Sequence, residues 1–203
     1  MPRKIMVTGK GGSGKTSITV LSARVLARHG YTVNIIDSDE SNPALHRFLG
    51  VEKPLTLMEY LGGRKGLVSL MRSGGEVDVA EAVAKAREGI TLSSLPPEYV
   101  SQSPDGLRFV VVGKISEFFE GCACPMGVLS REFLLKLKLS EGQAVVVDLE
   151  AGLEHLGRAV DEGLDALVVV AEPSYESLVI AKEAVEMASK AGLERSFVVL
   201  NKA

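Results

Sequence analysis

Apolar positions along the chain follow two alternating patterns. Residues 4–8, 32–37, 107–112, 144–149, 166–171 and 196–200 are short runs, nearly continuous in Val, Ile and Leu. Such runs suit strands of a parallel sheet covered on both faces, where no polar alternation is needed. Between them lie longer helical patterns at 15–29, 125–139 and 174–191. The first and last are closed by Gly30 and Gly192, which tolerate the left-handed conformation that ends a helix. Strand, helix, strand repeated in this way predicts an α/β fold, doubly wound, with a mainly parallel sheet and flanking helices.

Residues 50–106 break the alternation. Pieces at 57–61, 67–71 and 79–87 look helical and are separated by Gly62-Gly63 and Gly74-Gly75. The reading is a helical insertion on one domain spanning 1–203, not a second domain. Composition agrees with a folded chain, because 46% hydrophobic and 24% charged residues exclude wholesale disorder. Twenty-three basic against 26 acidic residues give a net charge of −3, which argues against a dedicated nucleic-acid binder. No apolar stretch is long enough for a membrane span, and Arg3-Lys4 leads into too short an apolar run for a secretory signal. Two cysteines are too few for a disulfide scaffold and point to a reducing, cytoplasmic setting.

The first strand runs into Gly9-Lys10-Gly11-Gly12-Ser13-Gly14-Lys15-Thr16, which opens a helix. This is the G-x-x-x-x-G-K-[ST] phosphate loop in its expected strand-to-helix context. Gly11, Gly12, Ser13, Gly14, Lys15, Thr16 and Ser17 are the expected nucleotide-binding residues. Glycines let backbone N–H groups converge on phosphate oxygens at the positive end of a helix. Lys15 is expected to neutralise the β- and γ-phosphates, and the Thr16 hydroxyl to ligate Mg²⁺. Lys10 near the start of the loop is either an exposed surface lysine or a second phosphate ligand. With it the loop resembles the deviant Walker A group of P-loop NTPases, the family of MinD, ParA and the nitrogenase iron protein. That resemblance implies that Lys10 reaches the phosphates of a partner subunit in an ATP-sandwich dimer.

Two further strands end in acids. Asp37-Ser38-Asp39 closes the second, and Val145-Val146-Val147-Asp148 has the Walker B form. Carboxylates at strand carboxyl ends face the ligand crevice of an open α/β sheet, although strand-end Asp residues also serve as helix caps. Asp148 is expected to hold Mg²⁺, directly or through water. By resemblance, the 37–39 segment is the first switch, with Asp39 activating the attacking water and Asp37 supporting the metal shell. Leu149-Glu150-Ala151-Gly152-Leu153-Glu154-His155-Leu156-Gly157-Arg158 reads as a second switch, its glycines able to absorb a backbone change. Asn201, at the end of the last strand, resembles the family's adenine-recognition position.

Both cysteines lie in Gly121-Cys122-Ala123-Cys124-Pro125. A disulfide across one residue would close a strained ring. Two thiolates half-fill a tetrahedral site, and a two-fold dimer would complete it with a second pair; two buried, inert cysteines are the alternative. Loop, cysteine pair and second switch together are similar to the CooC-type accessory ATPases, which assist nickel insertion into carbon monoxide dehydrogenase. The resemblance implies ATP/ADP with Mg²⁺, and an ATP- or metal-dependent homodimer sharing Ni²⁺ or Zn²⁺ between the Cys122 and Cys124 pairs. It also implies a nickel enzyme such as carbon monoxide dehydrogenase as client, with no nucleic-acid partner. Related proteins carry a further strand or helix beyond the position of Ala203, so a truncated or naturally short form is expected. The competing readings are a MinD/ParA-type partition ATPase and an iron–sulfur carrier ATPase of the same superfamily.

Overall fold

A computed structural model describes residues 3–38, 44–60, 91, 95–113, 137–149 and 164–203, with the Met58 side chain excepted. Seven strands form one sheet: β1 (Lys4–Gly9), β2 (Thr32–Ser38), β3 (Ser101–Gln102), β4 (Arg108–Val111), β5 (Gln143–Leu149), β6 (Ala166–Ala171) and β7 (Ser196–Leu200). Their order is β3-β4-β2-β5-β1-β6-β7, so β1 lies between β5 and β6. Every pairing is parallel except β3 with β4. The architecture is the expected one: a mainly parallel sheet with flanking helices.

The four α-helices among the described residues are α1 (Lys15–Arg28), α2 (Leu45–Leu49), α3 (Leu57–Tyr60) and α4 (Tyr175–Lys190), and Pro97–Tyr99 forms a single 3-10 turn. Strand periodicity assigns them to faces. Val7, Val33, Ile35, Phe109, Val146 and Val170 pack with Val20 and Ala23 of α1 and Leu45 and Leu49 of α2. Their neighbours in sequence, including Met6, Leu167, Val169 and Ala171, pack on the opposite face against Ala181, Ala184 and Ala188 of α4. Each central strand therefore contributes to two cores, which is why its run lacks polar breaks. Alanines at i, i+3 and i+7 make the buried stripe of α4 small enough to sit close to the sheet.

Several expectations need correction. Residues 101–102, read as part of a helical insertion, are the antiparallel edge strand β3, joined to β4 through a turn with Gly106 at φ 84°. Thr56 also bridges Val111 of β4, so this region supplies two backbone contacts to β4. The helix expected to reach residue 139 does not cover 137–139, none of which is helical. The carbonyls of Leu139 and Ser140 instead accept hydrogen bonds from the Arg3 guanidinium, and Gly142 at φ 75° turns the chain into β5. β7 is not buried on both faces. It pairs only with β6 among the described strands, and Phe197, Val198 and Leu200 are about half exposed. The expected helices at 67–71 and 79–87 lie outside the described residues.

Candidate functional site

The chain leaves β1 through Gly9, whose φ of 146° and position against β6 exclude a side chain: a Cβ there would lie 2.1 Å from the Val170 carbonyl oxygen. The loop turns on a hydrogen bond from the Ser13 N–H to the Lys10 carbonyl, 3.1 Å. It enters α1 at Gly14, which has φ 96° and no side-chain cap. The first turn of α1 contains no acidic residue. Lys15 and Thr16 are buried there, and a Cβ at Gly11 or Gly12 would meet open space. Ser13 is also buried, and its Oγ makes no hydrogen bond among the described residues. A helix start left uncapped, basic and open above its glycines is a concave anion site of the kind backbone N–H groups build.

The acids converge beneath this loop. The Thr16 hydroxyl donates to Asp148 Oδ2 at 2.8 Å in a buried hydrogen bond. Asp37 of β2 is the register partner of Asp148 of β5. Strand parity puts both on the face that packs against α1, and both are buried. The donor set fits a hard divalent cation: one hydroxyl and two carboxylates, all oxygen, at the mouth of a phosphate cradle. A buried acid pair of this kind is costly unless neutralised by a cation or hydrogen bonds, and the Thr16 hydroxyl supplies one such bond.

Sequence reasoning missed three residues that close the other side. Lys202 has φ 59° and donates from Nζ to the Gly12 carbonyl at 2.7 Å and to Glu172 Oε1 at 2.6 Å. Lys10 Nζ donates to Glu176 Oε2 at 2.6 Å. The Lys10 ammonium is pushed above its usual pKa, first by this hydrogen bond. The Glu172 carboxyl is pulled below its usual value, first by the hydrogen bond from Lys202. Glu172 follows β6, so the rule that ligands meet strand carboxyl ends was the available signal for it. Asn201 braces the loop: its Nδ2 donates to the Ser13 carbonyl at 2.8 Å, and a Cβ on Gly14 would come within 2.4 Å of that nitrogen.

The fold thus brings together Lys10, Gly11, Gly12, Ser13, Gly14, Lys15, Thr16, Ser17, Asp37, Asp148 and Asn201. Asp39, Cys122 and Cys124 lie outside the described residues, as does the second switch beyond Leu149. Among the described residues no helix is long and apolar enough to cross a membrane, and no three His, Cys, Asp or Glu side chains gather into a metal-binding group.

Residues 4–203 match the CobQ/CobB/MinD/ParA nucleotide binding domain, and the chain belongs to that family. It is 45% identical over 199 residues to an uncharacterized ATP-binding protein of Methanocaldococcus jannaschii, covering 97% of this chain and 77% of that protein. It is 30% identical over 200 residues to the carbon monoxide dehydrogenase accessory protein CooC of Rhodospirillum rubrum, covering 98% and 74% respectively. The septum site-determining protein MinD of Pyrococcus horikoshii, solved with Mg-ADP, shares the fold at TM-score 0.62 and 19% identity, over 98% of this chain and 68% of that one.

Proposed function

We propose that the chain is an Mg²⁺-dependent ATPase that works as a nucleotide-driven homodimer and delivers nickel to a client enzyme such as carbon monoxide dehydrogenase. One observation carries the ATPase reading: the Thr16–Asp148 hydrogen bond under an uncapped, glycine-lined helix start, with Asp37 in register beside it. The backbone N–H groups of the loop and the Lys15 ammonium bind the β- and γ-phosphates and balance their charge. Mg²⁺, held by Thr16 and Asp148 with Asp37 in support, supplies charge neutralisation at the transferring phosphoryl group. Asp39 orients the attacking water for in-line displacement, and Lys10 serves the phosphates of the second copy. Asn201, braced on the loop, presents its amide edge to adenine.

The delivery step is supported by likeness to CooC over nearly the whole chain and by the Cys122–Cys124 pair. Each copy contributes two thiolates, so the four needed for a closed site exist only in the dimer. Hydrolysis loosens the dimer and opens that shell to the client. Metal content measured together with oligomeric state, with and without ATP, tests this. One nickel or zinc per ATP-bound dimer, lost on Cys122→Ser or Cys124→Ser with dimerisation intact, is the expected result. Stoichiometric metal on a monomer would refute the shared site.

A further inference from the structure

Asn201 and Lys202 are consecutive, yet both side chains reach the phosphate loop. In an extended strand neighbouring side chains leave on opposite faces, so two adjacent residues do not serve one loop. The backbone resolves this at Lys202, whose φ of 59° makes it the one non-glycine residue with a left-handed φ among the described residues. That conformation is unfavourable for a residue with a side chain and persists where its surroundings hold it. The Asn201 N–H continues the ladder of β6 and β7 to the Ala171 carbonyl at 2.8 Å. The Lys202 ammonium lies between Glu172 Oε1, 2.6 Å, and the Gly12 carbonyl, 2.7 Å. The Glu172 N–H is itself tied to Ser177 Oγ at 2.9 Å.

The loop thus receives hydrogen bonds on two successive carbonyls, Gly12 from Lys202 and Ser13 from Asn201. In a trans peptide the C=O and N–H point in opposite directions, so fixing a carbonyl also aims the amide of the next residue. With the Gly12 carbonyl drawn to Lys202, the Ser13 N–H points the other way and meets the Lys10 carbonyl at 3.1 Å. With the Ser13 carbonyl drawn to Asn201, the Gly14 N–H points away from residue 201. Gly14 is the N-cap of α1, so this N–H is one of the four that a helix start leaves for a ligand such as a phosphate oxygen. Gly11, Gly12 and Gly14 give the loop few backbone restraints of its own, and the two outside hydrogen bonds supply them.

We propose that Asn201 and Lys202, with Glu172 behind the lysine, are positioning residues for phosphate: they lock two successive peptide planes of the loop and so aim its N–H groups at a polyphosphate. This deepens the phosphate-cradle reading under Proposed function and rests on it. It gives Asn201 a task that does not involve the base, and Lys202 a task that does not require it to touch the ligand. A loop with unlocked planes spends only part of its time in the competent arrangement, and the apparent affinity falls by that fraction.

The test uses the whole chain, titrated by calorimetry with ATP and with inorganic tripolyphosphate, which has phosphates and no base. Hydrogen exchange of the Ser13 amide, followed by NMR with no polyphosphate added, reports the peptide plane directly. Lys202→Gly and Asn201→Ala should each weaken both ligands by about threefold to tenfold, and Lys202→Gly should speed Ser13 exchange by a similar factor. Lys202→Met, which keeps the stem and loses the donor, should match Lys202→Gly in both readouts. Lys202→Gly should also keep its denaturant midpoint, because glycine relaxes the left-handed backbone while an exposed ion pair contributes little. Ser13 exchange unchanged in Lys202→Gly and Lys202→Met would overturn the positioning role whatever happens to affinity, leaving Lys202 at most a direct phosphate ligand. An Asn201→Ala variant that loses affinity for ATP alone would overturn the role of Asn201 and leave it a base contact. A parent chain that binds neither ligand would instead sink the phosphate-cradle reading.

Discussion

Two helices begin beside one another at the carboxyl ends of adjacent strands, α1 after β1 and α4 after β6, and they are finished in opposite ways. The α4 start is self-sufficient: Ser174 caps it, and Glu176 places a negative charge in its first turn. The α1 start has neither feature. It is entered through a left-handed glycine, carries Lys15 where an acid would be stabilising, and leaves its first N–H groups to a ligand. In the same sheet, the difference separates a helix end optimised for folding from one optimised for binding. Stability was forgone at α1, whose first turn offers no acid of its own to the positive end of the helix and so suits a phosphate.

The largest expected effect comes from removing the features that only α1 has. Lys15→Ala and Asp148→Asn should each lower kcat/KM for ATP hydrolysis by about a hundredfold or more, measured at steady state with Mg²⁺. Gly14→Ala should follow, since it combines φ 96° with a 2.4 Å approach to Asn201. A cost of about 1–3 kcal/mol is expected in denaturant unfolding, with weaker binding of a fluorescent nucleotide. At α4 the same kind of change should touch folding alone. Ser174→Ala should lower unfolding free energy by about 1 kcal/mol and leave nucleotide affinity unaltered.

The comparison is sharpened by making α1 resemble α4. Ser17→Asp puts a carboxylate in the first turn of α1, where the helix dipole should reward it by about 0.3–1 kcal/mol in the apo protein. Nucleotide affinity should fall at the same time, so unfolding and binding titrations would move in opposite directions. The smallest effect concerns Glu172. Its carboxyl pKa is depressed by Lys202, so the contribution is present at neutral pH and is lost as pH falls through the lowered folded-state value. The unfolding difference between the parent and Glu172→Gln should therefore shrink from pH 7 to the acid side of that value.

The phosphate loop was legible because its residues are contiguous. Gly9 to Thr16 needs only a strand before it and a helix after it, and local patterning announces both. Six of the seven strands were visible within a residue or two because each is a local, unbroken run of Val, Ile and Leu. Less could be read where a role depends on neighbours. The 196–200 run looked like its central counterparts, yet β7 pairs only with β6 among the described strands and stays half exposed. Ser101–Gln102 is too short and polar to announce a strand, and exists as one because β4 offers it an edge.

The chain by itself determined the elements and one constellation, the phosphate cradle, because helix periodicity, strand runs and glycine spacing act over a few residues. Tertiary structure decided which distant groups complete that cradle. Asp37 and Asp148 became neighbours only when β5 inserted between β1 and β2. Lys10 and Glu176, 166 positions apart, and Lys202 and Gly12, 190 apart, met because β6 and β7 stack beside β1. Strand order is set by how crossover helices cover the two faces, a global packing problem in which no short window holds the answer.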